Sequence, residues 1–335
     1  MSEGLTNIAD WRVTLDGKDL TDKLRPRLVS LSLSEKRGDE ADQLDIVLDD
    51  SDGQLALPKP GAVLRVQLGW RQGRDVAIGL VDKGSFKVDE VSHSGPPDLI
   101  TLRARAADFT SEIRNRREQS WHDTSLGAVL SDVAQRNGLA PRIAPDLAAI
   151  ALSSISQSRE SDIAFLRRLG REHDAVATIK DKRLLFTRKG ASTTASGTAL
   201  PALTIRRRDG DRHSWALQTR EGQEGVTASW HDRKGAKKRA ITVGKKDGAK
   251  RLRRVYPDEA SAKRAAIAER GRLARSPASL DFTLALGRAD AYPEQRVTVT
   301  GFKDEIDAAR WLITEVTHRL DQNGFGTALK LETAP

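Results

Sequence analysis

Short runs of alternating apolar and polar residues, each ended by a turn signal, limit this chain's fold more than any other feature. Residues 11–15 are followed by Gly17. Residues 28–33 lead into Leu31-Ser32-Leu33-Ser34, the alternation of a half-buried strand. Further runs at 44–48, 63–68, 76–81, 86–91 and 99–104 complete a first strand-rich region. Strands at this spacing predict a small antiparallel barrel or sandwich. The pattern resumes at 203–207, 214–219, 226–230, 280–285, 296–300, 311–318 and 327–331, which predicts a second barrel. Residues 233–277 interrupt it as an insertion.

The period changes between the two regions. Residues 110–122 are polar and read as a connection. Thr124 is placed to cap a helix carrying Leu126, Val129, Leu130, Val133 and Ala134 on one face, with Asn137-Gly138 as its stop. Ser161 caps a second helix, and Asp162 lies where the helix dipole favours negative charge. Ile163, Leu166 and Leu169 form its apolar stripe beside Phe165, while Arg167, Arg168 and Arg171 lie largely off it. A hairpin follows, with strands at 175–179 and 184–187 and a turn at 180–182. The two helices and the hairpin are expected to pack as one α+β unit. Residues 190–200 are small and polar, a linker by composition. Asp258 caps an Ala-rich helix that stops before Pro277.

Little in the 335 residues points to chemistry. Apolar residues are 38% and charged residues 31%, a globular composition without cysteine. No apolar run approaches the roughly 20 residues of a membrane-spanning helix. The N-terminus lacks a signal-peptide layout, so a cytoplasmic origin is expected. The histidines (His93, His122, His173, His213, His231, His318) have no zinc spacing. No nucleophile elbow or phosphate loop occurs. The acidic turn at 49–53 fails the EF-hand template, and Asp89/Glu90 is a pairing common by chance. No catalytic, cofactor or metal residues are assigned, and the chain is expected not to be an enzyme. Trp11, Trp70, Trp121, Trp215, Trp230 and Trp311 are expected in barrel cores or subunit contacts.

The net charge of +9 is localised. Residues 233–254 hold eleven cations and one Asp: Arg233, Lys234, Lys237, Lys238, Arg239, Lys245, Lys246, Lys250, Arg251, Arg253 and Arg254. The rest of the chain is nearly neutral. This segment has three readings: a flexible solvated loop, a docking surface for an acidic partner or neighbouring subunits, or phosphate contact with DNA in a channel. No aromatic residue is interleaved in it, which argues against single-strand stacking.

Several stretches carry a family resemblance. Ser161-Asp162-Ile163-Ala164-Phe165-Leu166-Arg167-Arg168-Leu169-Gly170, with the later Leu184-Leu185-Phe186, is similar to a module of phage tail hub proteins of the late control protein D type. It also resembles the hub part of type VI secretion spike proteins. The run from Leu44 through Gly53 and Pro60-Gly61 to Leu68-Gly69-Trp70 fits the same family. So do residues 84–91, Gly95-Pro96-Pro97-Asp98, Ala107-Asp108-Phe109, 120–127, 136–139, 311–318 and Gly324-Phe325-Gly326-Thr327.

The resemblance spans residues 11–331 and implies an α+β, mainly β fold. Its parts would be two antiparallel β-barrel tube domains, at 1–112 and 201–335, with an α+β helix-hairpin domain at 113–200. It further implies a homotrimer whose six barrels match a sixfold tail tube and adapt it to a threefold spike. Expected partners are a separate spike protein (no β-helix repeats follow the second barrel), the tail tube protein, other baseplate proteins and a tape measure protein. The expected location is the tail baseplate of a virion or tail-like particle. Two rival readings stand beside it: a DNA-binding protein acting through 233–254, and a tail-associated cell-wall hydrolase.

Overall fold

The computed structural model describes residues 6–38, 41–106, 111–180, 182–217, 225–232, 235–275 and 278–334. The first region comprises β1 (Ile8–Leu15), β2 (Lys18–Asp19), the short helix α1 (Thr21–Leu24), β3 (Leu28–Lys36), β4 (Gln43–Asp49), β5 (Val63–Gln72), β6 (Gly79–Ser94) and β7 (Leu99–Ala106). The alternation in β3 buries Leu31 and Leu33 and leaves the intervening serines partly exposed. In register, Leu31 faces Ile46 and Leu33 faces Leu44 of β4. The two strands expected at 76–81 and 86–91 are one 16-residue strand, β6. Gly84, at φ +91, lies within this strand, whose register is irregular toward both neighbours. The acidic turn after β4 faces solvent except for buried Asp50, which accepts from the Leu55 N–H at 2.9 Å.

The middle unit comprises β8 (Arg116–Ser125), α2 (Leu126–Arg136), β9 (Ala140–Ile143), α3 (Pro145–Ala148), β10 (Ala151–Ser161), α4 (Asp162–Glu172), β11 (Ala175–Lys180) and β12 (Arg183–Arg188). Ser161 caps α4, its Oγ accepting from the Ala164 N–H. Phe165, Leu166 and Leu169 are buried with Val129, Leu130 and Val133 of α2 against Ala177, Leu184 and Phe186 of the hairpin. Three expectations change. The polar stretch after residue 115 is a strand, β8, which pairs along β10. The cap of α2 is Ser125, whose side chain accepts from the Ala128 N–H, while Thr124 is still paired with Leu152 in the ladder. Asp162 does more than face the helix dipole: fully buried, it accepts from Arg136 Nε at 3.1 Å, Asn137 Nδ2 at 2.7 Å and Gln157 Nε2 at 2.8 Å. It thereby ties the end of α2 to the start of α4. The 190–200 stretch is a folded turn with a Thr193–Ala199 bridge and a buried Ser192. Ala107-Asp108-Phe109, Asp181 in the hairpin turn and Pro277 lie outside the described residues.

The last region comprises β13 (Leu203–Arg206), β14 (Gly210–Leu217), β15 (Gly225–Asp232), β16 (Lys237–Gly244), β17 (Lys250–Tyr256), α5 (Glu259–Arg275), β18 (Ala278–Leu284), β19 (Arg296–Thr300), α6 (Asp304–Asp307), β20 (Trp311–Asp321) and β21 (Gly324–Thr333). Six of these strands join the seven of the first region in one 13-stranded, mostly antiparallel sheet. Its main path runs β14-β18-β21-β20-β3-β4-β7-β6-β5-β1-β2, and β19 links β13 to β20.

This corrects the expectation of two closed barrels. Among the described residues neither region closes on itself, because β3 pairs with β4 on one side and with β20 on the other. The edge that would complete the first barrel is taken by the second region. Ala289, Leu320 and Phe325 therefore pack into the first region's core. Trp70 lies 5.5 Å from Phe325 and donates from Nε1 to the Gly287 carbonyl at 2.8 Å.

Where the halves and the middle unit meet, charges are buried together. Lys83 Nζ donates to the Ala291 carbonyl at 3.2 Å as well as to Glu35. Lys180, from β11, reaches the other Glu35 oxygen at 3.2 Å. His318 Nε2 stands 3.4 Å from Glu35 Oε2. Thr327 Oγ1 accepts from the Arg288 N–H at 3.0 Å, so its own hydrogen is available to His318 Nδ1 at 2.9 Å. Burial opposes ionisation of Glu35, but His318, Lys83 and Lys180 hold its carboxyl well below the usual range. Burial pushes both His318 and Lys83 down, partly offset by Glu35.

Candidate docking surface

The basic segment is not a flexible loop. Residues 225–232 and 235–275 fold as a three-stranded sheet, ordered β16-β15-β17, with α5 packed on one face. β15 was expected in the second barrel, but it forms the centre of this insertion. Val226, Ala228 and Tyr256 are buried against Ala262, Ala265 and Ala266, with Trp230, Ile241, Val243 and Leu252 around them. The alternating positions 226, 228 and 230 face 243, 241 and 239 across the ladder, which explains why one face is apolar despite the charge. Asp258 caps α5 by accepting from the Ser261 N–H at 2.7 Å.

The fold divides the cations between two edges. Lys237, Lys238 and Arg239 lie on β16, and Lys250, Arg251, Arg253 and Arg254 on β17, with β15 between them. Lys245 and Lys246 occupy the turn joining these strands, and Arg233 and Lys234 lie outside the described residues. Arg239 pairs with Asp232 at 2.9 Å and Lys250 with Glu269 at 2.6 Å. Arg254 pairs with Glu172 of the middle unit. Lys237, Lys238, Lys246, Arg251 and Arg253 are exposed, and among the described residues none has an ion pair.

The internal pairs are strongly biased. Glu269 is held down to about 2 by its hydrogen bond to Arg272 and by Lys250, against the opposing effect of partial burial. Burial, with Glu172 nearby, pushes Tyr256 up to about 12. Lysine and arginine on both outer strands also protect these edges from unwanted strand pairing. The described cations are therefore spread over the two outer strands of a folded sheet and the turn between them.

The remaining sequence candidates fall in structural positions. Trp11, Trp70 and Trp311 are buried, Trp121 stacks on Phe165 at 5.4 Å, and Trp230 flanks the insertion's core. Trp215 alone of the six is 36% exposed, on the edge strand β14. Asp89 and Glu90 pair with Arg105 and Arg103, each at 3.2 Å. Among the described residues no three His, Asp or Glu side chains are grouped to hold a metal, and no helix is long and apolar enough to cross a membrane. Sequence reasoning missed the buried Glu35 and Lys83, and named His318 without placing it beside them. Their signal was a charged or imidazole residue at an inward position of an alternating strand.

Comparison with known proteins gives a consistent picture. The family described as "Phage tail baseplate hub (GPD)" matches residues 41–324. The "Probable baseplate hub protein" of Escherichia phage 186 is 42% identical over 363 residues, covering 96% of this chain and 92% of that protein. Its counterpart in Escherichia phage P2 is 42% identical over 369 residues, covering 98% and 94%. The solved tail protein from Neisseria meningitidis MC58 has the same fold, with a TM-score of 0.70 at 15% identity over 97% of this chain and 96% of that one. The E. coli c3393 protein, described as a component of the type VI secretion system, gives a TM-score of 0.56 at 14% identity over 92% of this chain and 73% of that one.

Proposed function

This chain belongs to the phage tail baseplate hub family, and we propose that three copies assemble into a ring joining a sixfold tail tube to a threefold spike. As a family member it is a structural component of the phage tail baseplate. In the proposed ring, the two halves of the 13-stranded sheet act as two wall segments per chain, so three chains supply six. The observation that carries this reading is the β3–β20 pairing. It joins the two halves in one continuous sheet, as a ring of alternating half-chains requires.

The proposed division of labour keeps residues 1–112 and 201–335 in the wall and 113–200 beside it. The proposed partners are a separate spike protein, the tail tube protein, neighbouring baseplate proteins and a tape measure protein. The unpaired cations of β16 and β17 and of their turn are the proposed contact with an acidic baseplate partner or a neighbouring copy. No catalytic role is proposed.

Native mass measurement on the purified chain, alone and with its spike protein, tests the ring. A trimer in either condition supports it, and a monomer in both overturns it.

A further inference from the structure

A cleft of about 460 Å³ opens at the seam between the middle unit and the insertion. Its walls come from β8 and β10, from the end of α4, and from β17 with the first turns of α5. The seam is held by Arg254 on Glu172 and by Ser153 Oγ, which donates to Asp258 Oδ2 at 2.7 Å. We infer that this cleft is an anion site, taking an oxyanion such as phosphate or the carboxylate of an acidic side chain.

Two groups in it have hydrogen-bonding capacity left over. Arg264 donates from Nη2 to Ser261 Oγ at 3.0 Å, but its buried Nε–H has no acceptor. His173 is 8% exposed, lines the cleft, and its ring makes no hydrogen bond. His122 and His231 line the cleft as well.

The charge balance favours an anion. Glu172 is the one carboxylate among the described residues lining the cleft, and it is already shared by Arg168 and Arg254. Asp258, near Arg264, is taken up by Ser153 and Ser261. Arg188, which also faces His173, is paired with Asp146. Asp258 lies near enough to offset the Arg264 charge but does not accept from its Nε–H, which an oxyanion in the cleft would take in a charge-assisted hydrogen bond. Burial, Arg264 and Arg188 hold His173 down to about 4, so a bound anion draws its ring toward protonation.

Calorimetric titration of the full chain with sodium phosphate at pH 6 tests the site. Saturable binding is expected. Arg264→Met should weaken it at least about tenfold, and Arg264→Lys should weaken it less, because the charge is kept and the planar fork lost. Arg319→Gln, an exposed side chain on β20, should leave it unchanged. The His173 ring should titrate higher with phosphate than without it, followed by NMR against a His173→Gln reference. Displacement of phosphate by a hexaglutamate peptide would identify a partner's carboxylates as the natural occupant. Phosphate binding without displacement would identify a free oxyanion. No saturation up to about 10 mM, or binding indifferent to both Arg264→Lys and His173→Gln, overturns the inference.

Discussion

Lys83 Nζ lies 2.7 Å from Glu35 Oε2, and each side chain is only 3% exposed. This pair sits where β3, β6 and β20 converge, so it couples the sheet's two halves. Lys83→Met is expected to cost about 3–5 kcal/mol, because it leaves a buried carboxylate short of its main cation. Glu35→Leu combined with Lys83→Met should recover most of that loss. Urea unfolding of the three proteins checks this, and a double variant as unstable as the single one would contradict it.

His173 gives a pH dependence whose sign is fixed. Its pKa is held at about 4 when folded against about 6.5 when unfolded, so the unfolded chain binds more protons between those values. Its contribution is complete above pH 6.5 and is lost as pH falls to 4, by about 3 kcal/mol. His173→Gln should flatten that part of the stability profile, read from unfolding midpoints at half-unit pH steps.

The cap of α2 separates two adjacent hydroxyls. Ser125→Ala should destabilise by about 1 kcal/mol, since the Ala128 N–H loses its acceptor. Thr124→Ala should cost less, since Thr124 gives no cap. Thermal unfolding of both variants distinguishes them, and equal losses would return the cap to Thr124.

The exposed cations of the insertion should matter for contacts and little for folding. Changing Lys237, Lys238, Lys246, Arg251 and Arg253 to Gln is expected to leave stability within about 0.5 kcal/mol per site. In a salt-titrated gel shift, wild-type protein should not retard DNA at about 150 mM salt. Retardation that survives that salt and disappears in the five-site variant would revive the nucleic-acid reading.

Much of this was readable in advance, and the failures share a cause. Ser161, the stripe of Leu166 and Leu169, and the following hairpin were legible because their partners lie a few residues away. β8 was not, because Trp121 is its sole apolar residue and it is recognised only by its partner β10. The folded insertion was hidden by its charge: Ile241 and Val243, then Leu252 and Tyr256, alternate correctly but sit among lysines and arginines. The open sheet in place of two barrels was not legible at all, since nothing local to Leu33 announces His318 as its neighbour. Glu35 was readable in hindsight, two positions beyond Leu33 on the inward face.

The β3–β20 pairing also sets a schedule for synthesis. Ser34 and Glu315, neighbours across that join, are 281 residues apart. At roughly 5–20 residues per second, the ribosome leaves the outer rim of β3 bare for some tens of seconds. Beyond exposed Val29, the outward side chains of β3 are Ser30, Ser32 and Ser34, so the waiting strand shows mostly hydroxyls on that face.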